Sequence, residues 1–203
     1  MTPLTACRLL AAAAALSMLC ALLSPVEAAS GDRSALVEQD RHFLYWADES
    51  TKADAAMNRL ALRQARESDI LAFGRRALTA DRRRLAALAA LAQTRRVSLP
   101  QKPDKEHRSL RDDMAAVHGS AFDRAFIRDA IAEAGKAINL YEDEAASGKD
   151  AAIEGFVASA LPELQKIHEA ACRAELQLAG TAPLMSPSGT VATHQPSPLP
   201  MPG

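Results

Sequence analysis

The sequence predicts an all-α fold, a four-helix bundle made of two helical hairpins, with a short extra helix in the long middle connection. The first observation is composition, because 48% of the residues are hydrophobic and only 4% are aromatic. The core must then consist mostly of alanine and leucine, which favour helices. The second is an internal repeat, in which "DRHF" at Asp40–Phe43 recurs as "DRAF" at Asp123–Phe126. Further hydrophobic residues recur at the same offset, as expected for two hairpins of common design.

The N-terminus, residues 1–28, is typical of a secretory signal peptide. Arg8 supplies the positive charge, "LLAAAAALSMLCALL" at Leu9–Leu23 the apolar core, and "PVEAA" a small-residue cleavage site ending at Ala28. A transmembrane anchor is the alternative, but the apolar core is too short to span a bilayer comfortably. We therefore expect an exported protein, located in the periplasm, with no membrane span after signal cleavage.

The first hairpin follows a short N-terminal linker, residues 29–35, and opens the helical domain, residues 36–178. Its first helix should run from about Ser34 to Arg66. "ESD" then interrupts the pattern, and Ser68 is a suitable N-cap for the second helix. That helix should end at about Arg95, before the two prolines of "VSLPQKPDK".

The second hairpin follows a short helical piece at about Lys105–Val117. A capping box of Ser120 and Asp123 should start the third helix. "SGKD" then separates the third helix from the fourth, and Asp150 should cap the fourth helix, which reaches about Leu178.

The last part of the chain contains two further signals. Pro162 lies inside the fourth helix and is expected to kink it, because its ring removes a hydrogen-bond donor. Residues 179–203 are rich in proline and serine and have no apolar period. We therefore predict a disordered C-terminal tail.

Charge and cysteine content limit the classes of partner. The formal net charge of −1 argues against a nucleic-acid binder, which usually has a strongly basic balance. Cys172 is the cysteine that remains after signal cleavage, so an internal disulfide is excluded. A lone thiol is either buried or forms a homodimer through an intermolecular bridge. An unidentified protein of the cell envelope remains an alternative partner.

The stretch "RRALTADRRRLAAL" at Arg75–Leu88 contains five arginines and one acid, Asp81. Helical spacing places Arg84 at the edge of the apolar side. The arginines on the opposite, solvated side are Arg75, Arg76, Arg82 and Arg83. Binding of phosphate or of an acidic partner is the alternative role for these arginines.

Several polar residues face the predicted core. Asp54 lies on the apolar side of the first helix, Asp81 on that of the second, and His168 at the margin of the fourth. Carboxylates and histidines that project inward from facing helices can hold a divalent metal, so these three residues are candidate ligands. The alternative is an internal network in which Asp81 pairs with Arg84 or Arg124. Further inward polar residues are Asp40, Asn58, Asp123 and Tyr141.

Other catalytic patterns are absent from the sequence. There is no nucleophile elbow, phosphate loop or dinucleotide fingerprint, and no cofactor is expected. Tyr45 and Trp46 are expected to pack rather than to bind a ligand. The histidines without metal-ligand spacing to one another or to Cys172 are His42, His107, His118 and His194.

Six motifs occur in a characteristic order: "DRHFL", "AFGRRAL", "VSLP", "GSAFDRAFI", "LYEDEAASGKD" and "SALPELQ". Over about Leu36–Leu178 the chain resembles domain-of-unknown-function family 4142 (DUF4142), exported bacterial proteins with a ferritin-like helical bundle. The resemblance implies that fold and export. It implies no reaction, because no activity is established for the family as a whole.

The chain departs from that family where the family carries acids and histidines. The Asp-His pairs of the second and third helices, the histidine after "LP" and two first-helix glutamates are all changed. The residues at these positions are Ala80 and Asp81, Glu133 and Ala134, Ile167 (with His168 displaced by one), and Asp54 and Ala56. If the family histidines bind metal or support a redox role, this chain has lost them in place.

The sequence therefore favours an exported, non-catalytic bundle protein of the cell envelope with an interaction or stress-related role. One alternative is a metal-binding or redox protein with a rearranged, histidine-poor site in the bundle core. The other is a carrier of a small apolar ligand between alanine-lined helices.

Overall fold

The computed structural model describes residues 36–180, which form two helical hairpins and a short helix between them, as predicted. The predicted signal peptide, the linker and residues 181–203 of the tail lie outside the described part. None of the helices within residues 36–180 combines the length and the apolar character that a membrane span requires. The helices are α1 (Glu38–Gln64), α2 (Ser68–Arg95), α3 (Lys105–Ala115), α4 (Ser120–Ser147) and α5 (Ala151–Gly180).

The hairpins pack so that neighbouring helices are antiparallel. α1 lies beside α2 and α4, and α2 lies beside α5. The start of α1 meets the end of α4, and the end of α1 meets the start of α4. α2 and α4 therefore run in the same direction, and the connection between them crosses the length of the bundle. One long crossover between two hairpins is the ferritin-like arrangement.

The repeated aspartates hold the turns of opposite hairpins. Asp40 at the start of α1 accepts a hydrogen bond from the backbone N–H of Lys149, between α4 and α5, at 2.9 Å. Asp123 at the start of α4 accepts from the backbone N–H groups of Arg66 and Glu67, between α1 and α2, each at 3.1 Å. Both carboxylates are buried. The sequence repeat is therefore a structural repeat, in which each hairpin caps the turn of the other.

This role of Asp123 corrects the prediction of a capping box. The N-cap of α4 is Gly119, at φ 66°, and no side chain caps the helix. Glycine adopts this conformation at little cost because it lacks a Cβ atom. Asp123 instead binds the N–H groups that follow α1, so α1 ends at Gln64, two residues earlier than predicted.

The other helix ends are a mixture of confirmed and wrong predictions. Ser68 is the first residue of α2 and not its N-cap, which is Glu67 without a side-chain hydrogen bond. Asp150 caps α5 as predicted, because its Oδ1 accepts from the N–H groups of Ala152 and Ile153. α5 contains Pro162 and extends to Gly180.

The buried hydrophobic core consists mostly of alanine and leucine, as predicted, and aromatic side chains are among its largest members. Phe43 and Tyr141 make an edge-to-face contact with ring centroids 4.9 Å apart, a favourable geometry for aromatic pairs. Few aromatic residues are present, but most of them are placed where the helices meet. The largest fully buried side chains include Tyr141, Phe43, Phe73, Phe122 and Phe126.

The crossover, the segment between α2 and α4, is held against α1 by three hydrogen bonds. The Nζ atom of Lys52 donates to the carbonyl of Pro100 at 2.6 Å. The backbone N–H of Asp104, which precedes α3, donates to the buried carboxylate of Glu49 at 2.7 Å. The amide of Gln64 donates to the carbonyl of Ala115, at the end of α3, at 2.9 Å. α3 therefore covers a second side of α1 and also touches α4.

We expect Asp123→Ala to lower the free energy of unfolding by about 1–3 kcal/mol, because two backbone donors lose their acceptor. Asp123→Asn keeps an acceptor oxygen and should cost less. Asp143→Ala, at an exposed position of the same helix, is the control. Urea denaturation measures all three, and equal stability of Asp123→Ala and Asp143→Ala would contradict the role of Asp123.

Candidate functional site

The centre of the bundle holds a buried ion pair. The guanidinium of Arg84 donates to Asp81 Oδ1 at 2.5 Å, and the amide of Asn58 donates to Asp81 Oδ2 at 2.8 Å. Asp81 is 1% and Arg84 4% exposed. A buried carboxylate requires such partners because it has lost its hydration. Of the two arginines considered from the sequence, Arg84 neutralises Asp81, whereas Arg124 is exposed on α4.

Two further carboxyl groups lie near this pair. Asp54 and Asp129 line the same small cavity as Asp81 and Arg84. Burial raises the pKa of Asp81 to about 6, against the attraction of Arg84. Burial and, as a smaller effect, the charge of Asp81 raise the pKa of Asp54 well above its usual range. Burial and, as a smaller effect, the charge of Glu133 raise the pKa of Asp129 to about 6. These three carboxyl groups therefore take up protons at a higher pH than exposed aspartates do.

The cavity beside these groups has a volume of about 30 Å³. This suits one or two water molecules, whereas small-molecule sites usually occupy hundreds of cubic ångströms. Three polar atoms in this region, Nε and Nη1 of Arg84 and the hydroxyl of Tyr141, are buried without a protein hydrogen-bond partner. The cavity can hold water but is too small for an organic substrate.

The structure brings together two of the three candidate metal ligands. Asp54 and Asp81 line the cavity, but the half-buried His168 on α5 is not among its lining residues. Burial raises the pKa of Tyr141 above its usual range. The additional residues predicted to face inward are all buried: Asp40, Asn58, Asp123 and Tyr141.

A second polar cluster, where α3 meets α1, was not predicted. Nδ1 of His107 lies 3.0 Å from Oε1 of Glu49 and 3.3 Å from Oδ1 of Asp104. Nε2 of the same ring lies 3.8 Å from the carboxylate of Glu133 on α4. The hydrogen bond from the His107 backbone N–H lowers the pKa of Asp104 below its usual range. Glu49 and His107 are distant in sequence, and no local motif joins them.

The surface between α2 and α5 forms a groove of about 520 Å³, which we call the basic groove. Phe73 and Ile167 contribute to its floor, and Glu163 is the acid that lines it, paired with Arg83. A smaller depression of about 260 Å³ shares two of its arginines and continues along α5. The cations that line the basic groove are Arg75, Arg76, Arg83, Lys166 and Arg173.

Two sequence expectations concern residues at the surface. Arg75, Arg76, Arg82 and Arg83 are exposed, as predicted. Tyr45 and Trp46 are 41% and 39% exposed and pack edge to face against each other, with ring centroids 5.2 Å apart.

Comparison with protein families identifies the chain. A family model described as Domain of unknown function (DUF4142) matches residues 25–173. The chain belongs to the DUF4142 family. Comparison with curated proteins and with solved structures gives no significant match.

Four of the positions at which this DUF4142 protein departs from the family resemblance lie together in the fold. Asp54, Asp81, Ala134 and Ile167 all line the central cavity, although they come from four helices. The family resemblance implies an acid or a histidine at each of these positions. Here two of the four residues are apolar, and Asp81 is hydrogen-bonded to Arg84 and Asn58. The other departures, among them Ala80 and Glu133, do not line this cavity.

Proposed function

We propose that this DUF4142 protein is exported and acts without catalysis, as a binding protein of the cell envelope whose interaction surface is the basic groove. Export is supported by the N-terminal sequence, which lies outside the described residues. A non-catalytic role is supported by the central cavity, which is too small for a substrate and is lined by Ala134 and Ile167, where the family resemblance implies histidines.

The observation that carries the proposal is the charge of the basic groove. Five cations and one acid line it, although the whole chain has a formal net charge of −1. Such a local excess of positive charge attracts acidic partners and raises their rate of association. Arg75, Arg76 and Arg173 are exposed at its rim.

The shape of the groove favours an acidic segment of a protein. The groove runs between two long helices, and the half-buried apolar residues Ile167 and Ala170 line it together with its cations. An amphipathic helix can place its apolar side on such a floor and its charged side against the rim. We therefore expect the partner to present glutamate or aspartate beside leucine-like residues.

The test is the affinity of the purified protein for a designed amphipathic peptide, with leucine on one side and glutamate on the other, measured by fluorescence anisotropy. We expect binding that weakens with salt, and a loss of about tenfold or more in the Arg75→Glu/Arg173→Glu variant. A matched variant, Arg63→Glu/Lys102→Glu, reverses two exposed charges outside the groove and should bind normally.

Three outcomes would overturn this proposal. The first is equal affinity for a peptide in which glutamine replaces every glutamate. The second is equal loss of affinity in the two charge-reversal variants. The third is binding of phosphatidylglycerol vesicles, lost in the groove variant, without binding of the acidic peptide, which would make a membrane surface the partner.

A further inference from the structure

The cluster between α1 and α3 has the chemistry of a metal site. Glu49, Asp104 and His107 each offer one ligand atom, and these atoms all lie within 4.8 Å of one another. A carboxylate and imidazole set suits divalent transition metals. The residues come from two separate elements, since Glu49 belongs to α1 and Asp104 caps α3.

The carboxylate of Glu49 provides a second, independent observation. Glu49 is 1% exposed, and its Oε2 atom is buried without a hydrogen-bond partner. Its Oε1 atom accepts from the backbone N–H of Asp104 and contacts His107. Because both oxygens belong to one carboxylate, the unpartnered atom lies beside the same cluster. A buried carboxylate oxygen without a partner is costly, and a cation held by the same carboxylate would offset that cost by balancing its charge.

We infer that Glu49, Asp104 and His107 form a binding site for a divalent transition-metal ion, for which Zn²⁺ is the best match. Tetrahedral zinc with bonds of about 2.0–2.1 Å has its ligand atoms about 3.3 Å apart. The separations of His107 Nδ1 from the Glu49 and Asp104 oxygens are 3.0 and 3.3 Å. The fourth position of the metal is left to water.

The surroundings of His107 suit this coordination. Metal-bound histidines usually donate their other ring N–H to a carboxylate. Glu133 lies on that side of the ring, with Oε2 3.8 Å from Nε2. His107 and Asp104 retain 22% and 40% exposure of their side chains, so an ion can reach the site from solvent.

The consequence of binding would be a connection between the crossover and the first hairpin. The site joins α1 to the start of α3, and it contains no residue that lines the basic groove. Metal binding and partner binding are therefore separate properties that can be tested independently. An ion that binds the folded but not the unfolded chain raises the melting temperature.

The test is calorimetric titration of the untagged, metal-free protein with Zn²⁺ at neutral pH. We expect one equivalent to bind, with affinity weakened by about tenfold or more in His107→Ala and in Glu49→Gln. His118→Ala removes an exposed histidine just beyond α3 and should bind normally. Zn²⁺ should raise the melting temperature of wild type and of His118→Ala but not that of His107→Ala.

Two results would overturn the inference. One is the absence of stoichiometric Zn²⁺ binding to the wild-type protein. The other is unchanged binding in His107→Ala, which would place the ion elsewhere. His107 is partly exposed, so this variant is expected to fold, and its circular dichroism spectrum without metal checks that it does. If Glu49→Gln does not fold, His107→Ala alone decides.

Discussion

Arg84→Met is expected to lower the free energy of unfolding at neutral pH by about 3–5 kcal/mol, the usual cost of removing one partner from a buried ion pair. Asp81 would keep its buried position with only the amide of Asn58 as a partner. The loss should shrink at lower pH, because Asp81 can then take up a proton. Urea denaturation at two pH values measures both effects.

Two further variants separate the ion pair from the volume of the side chain. Arg83→Met changes the exposed neighbour, which pairs with Glu163, and should alter stability by less than about 1 kcal/mol. Asp81→Asn/Arg84→Met removes both charges and should be more stable than Arg84→Met alone. If Arg84→Met were no less stable than Arg83→Met, the ion pair would not be what neutralises Asp81.

The folded protein is expected to gain stability as pH falls from about 8 to about 5. Burial and, to a lesser extent, a hydrogen bond with Asp40 raise the pKa of Glu144 to about 7. Burial also raises the pKa values of Asp81 and Asp129 to about 6. A carboxyl group whose pKa is raised on folding binds more protons in the folded than in the unfolded state. The free energy of unfolding therefore falls as pH rises through this window, by on the order of 2–4 kcal/mol.

The opposite trend begins at lower pH. An ion pair with Arg95 lowers the pKa of Asp150, and a hydrogen bond from His107 lowers that of Asp104. The stability that these groups contribute is present above their unfolded pKa and is lost as pH falls below about 4. Maximum stability is therefore expected near pH 5.

Glu144→Gln tests the main contributor to the decrease in the free energy of unfolding between pH 5 and pH 8. Its amide can donate to Asp40 at every pH, so the decrease in stability between pH 5 and pH 8 should become smaller. Glu142→Gln, on the exposed side of α4, should leave the decrease unchanged. Denaturation at several pH values gives both slopes. A wild-type stability that rises from pH 5 to pH 8 would contradict this account.

Much of the fold follows from patterns that single helices carry. The period of hydrophobic residues and the repeat of Asp40 in Asp123 predict two hairpins, and both hairpins are present. The inward position of Asp81 follows from its place one turn from Leu78, and it is buried. The sequence offers both Arg84 and Arg124 as partners of Asp81. It does not decide between them, because the choice depends on how the long side chain of Arg84 packs.

The parts that the sequence did not predict depend on contacts between distant segments. Helical periodicity describes the side of α1 that faces the bundle, whereas Glu49 faces the crossover. Its contact with His107 exists only once α3 has packed along α1. Asp123 has the spacing of a local capping box, yet it binds the turn of the other hairpin. Local spacing cannot distinguish these two uses of one carboxylate.

The most direct test of the proposed function is site-specific photo-crosslinking to the acidic amphipathic peptide. Benzoylphenylalanine is placed either at Thr79, which lines the basic groove, or at Ser109, which is exposed on α3. We expect crosslinks from Thr79, lost in the Arg75→Glu/Arg173→Glu background, and none from Ser109. Equal crosslinking from both positions, or crosslinking only from Ser109, would contradict the assignment of the groove as the docking surface.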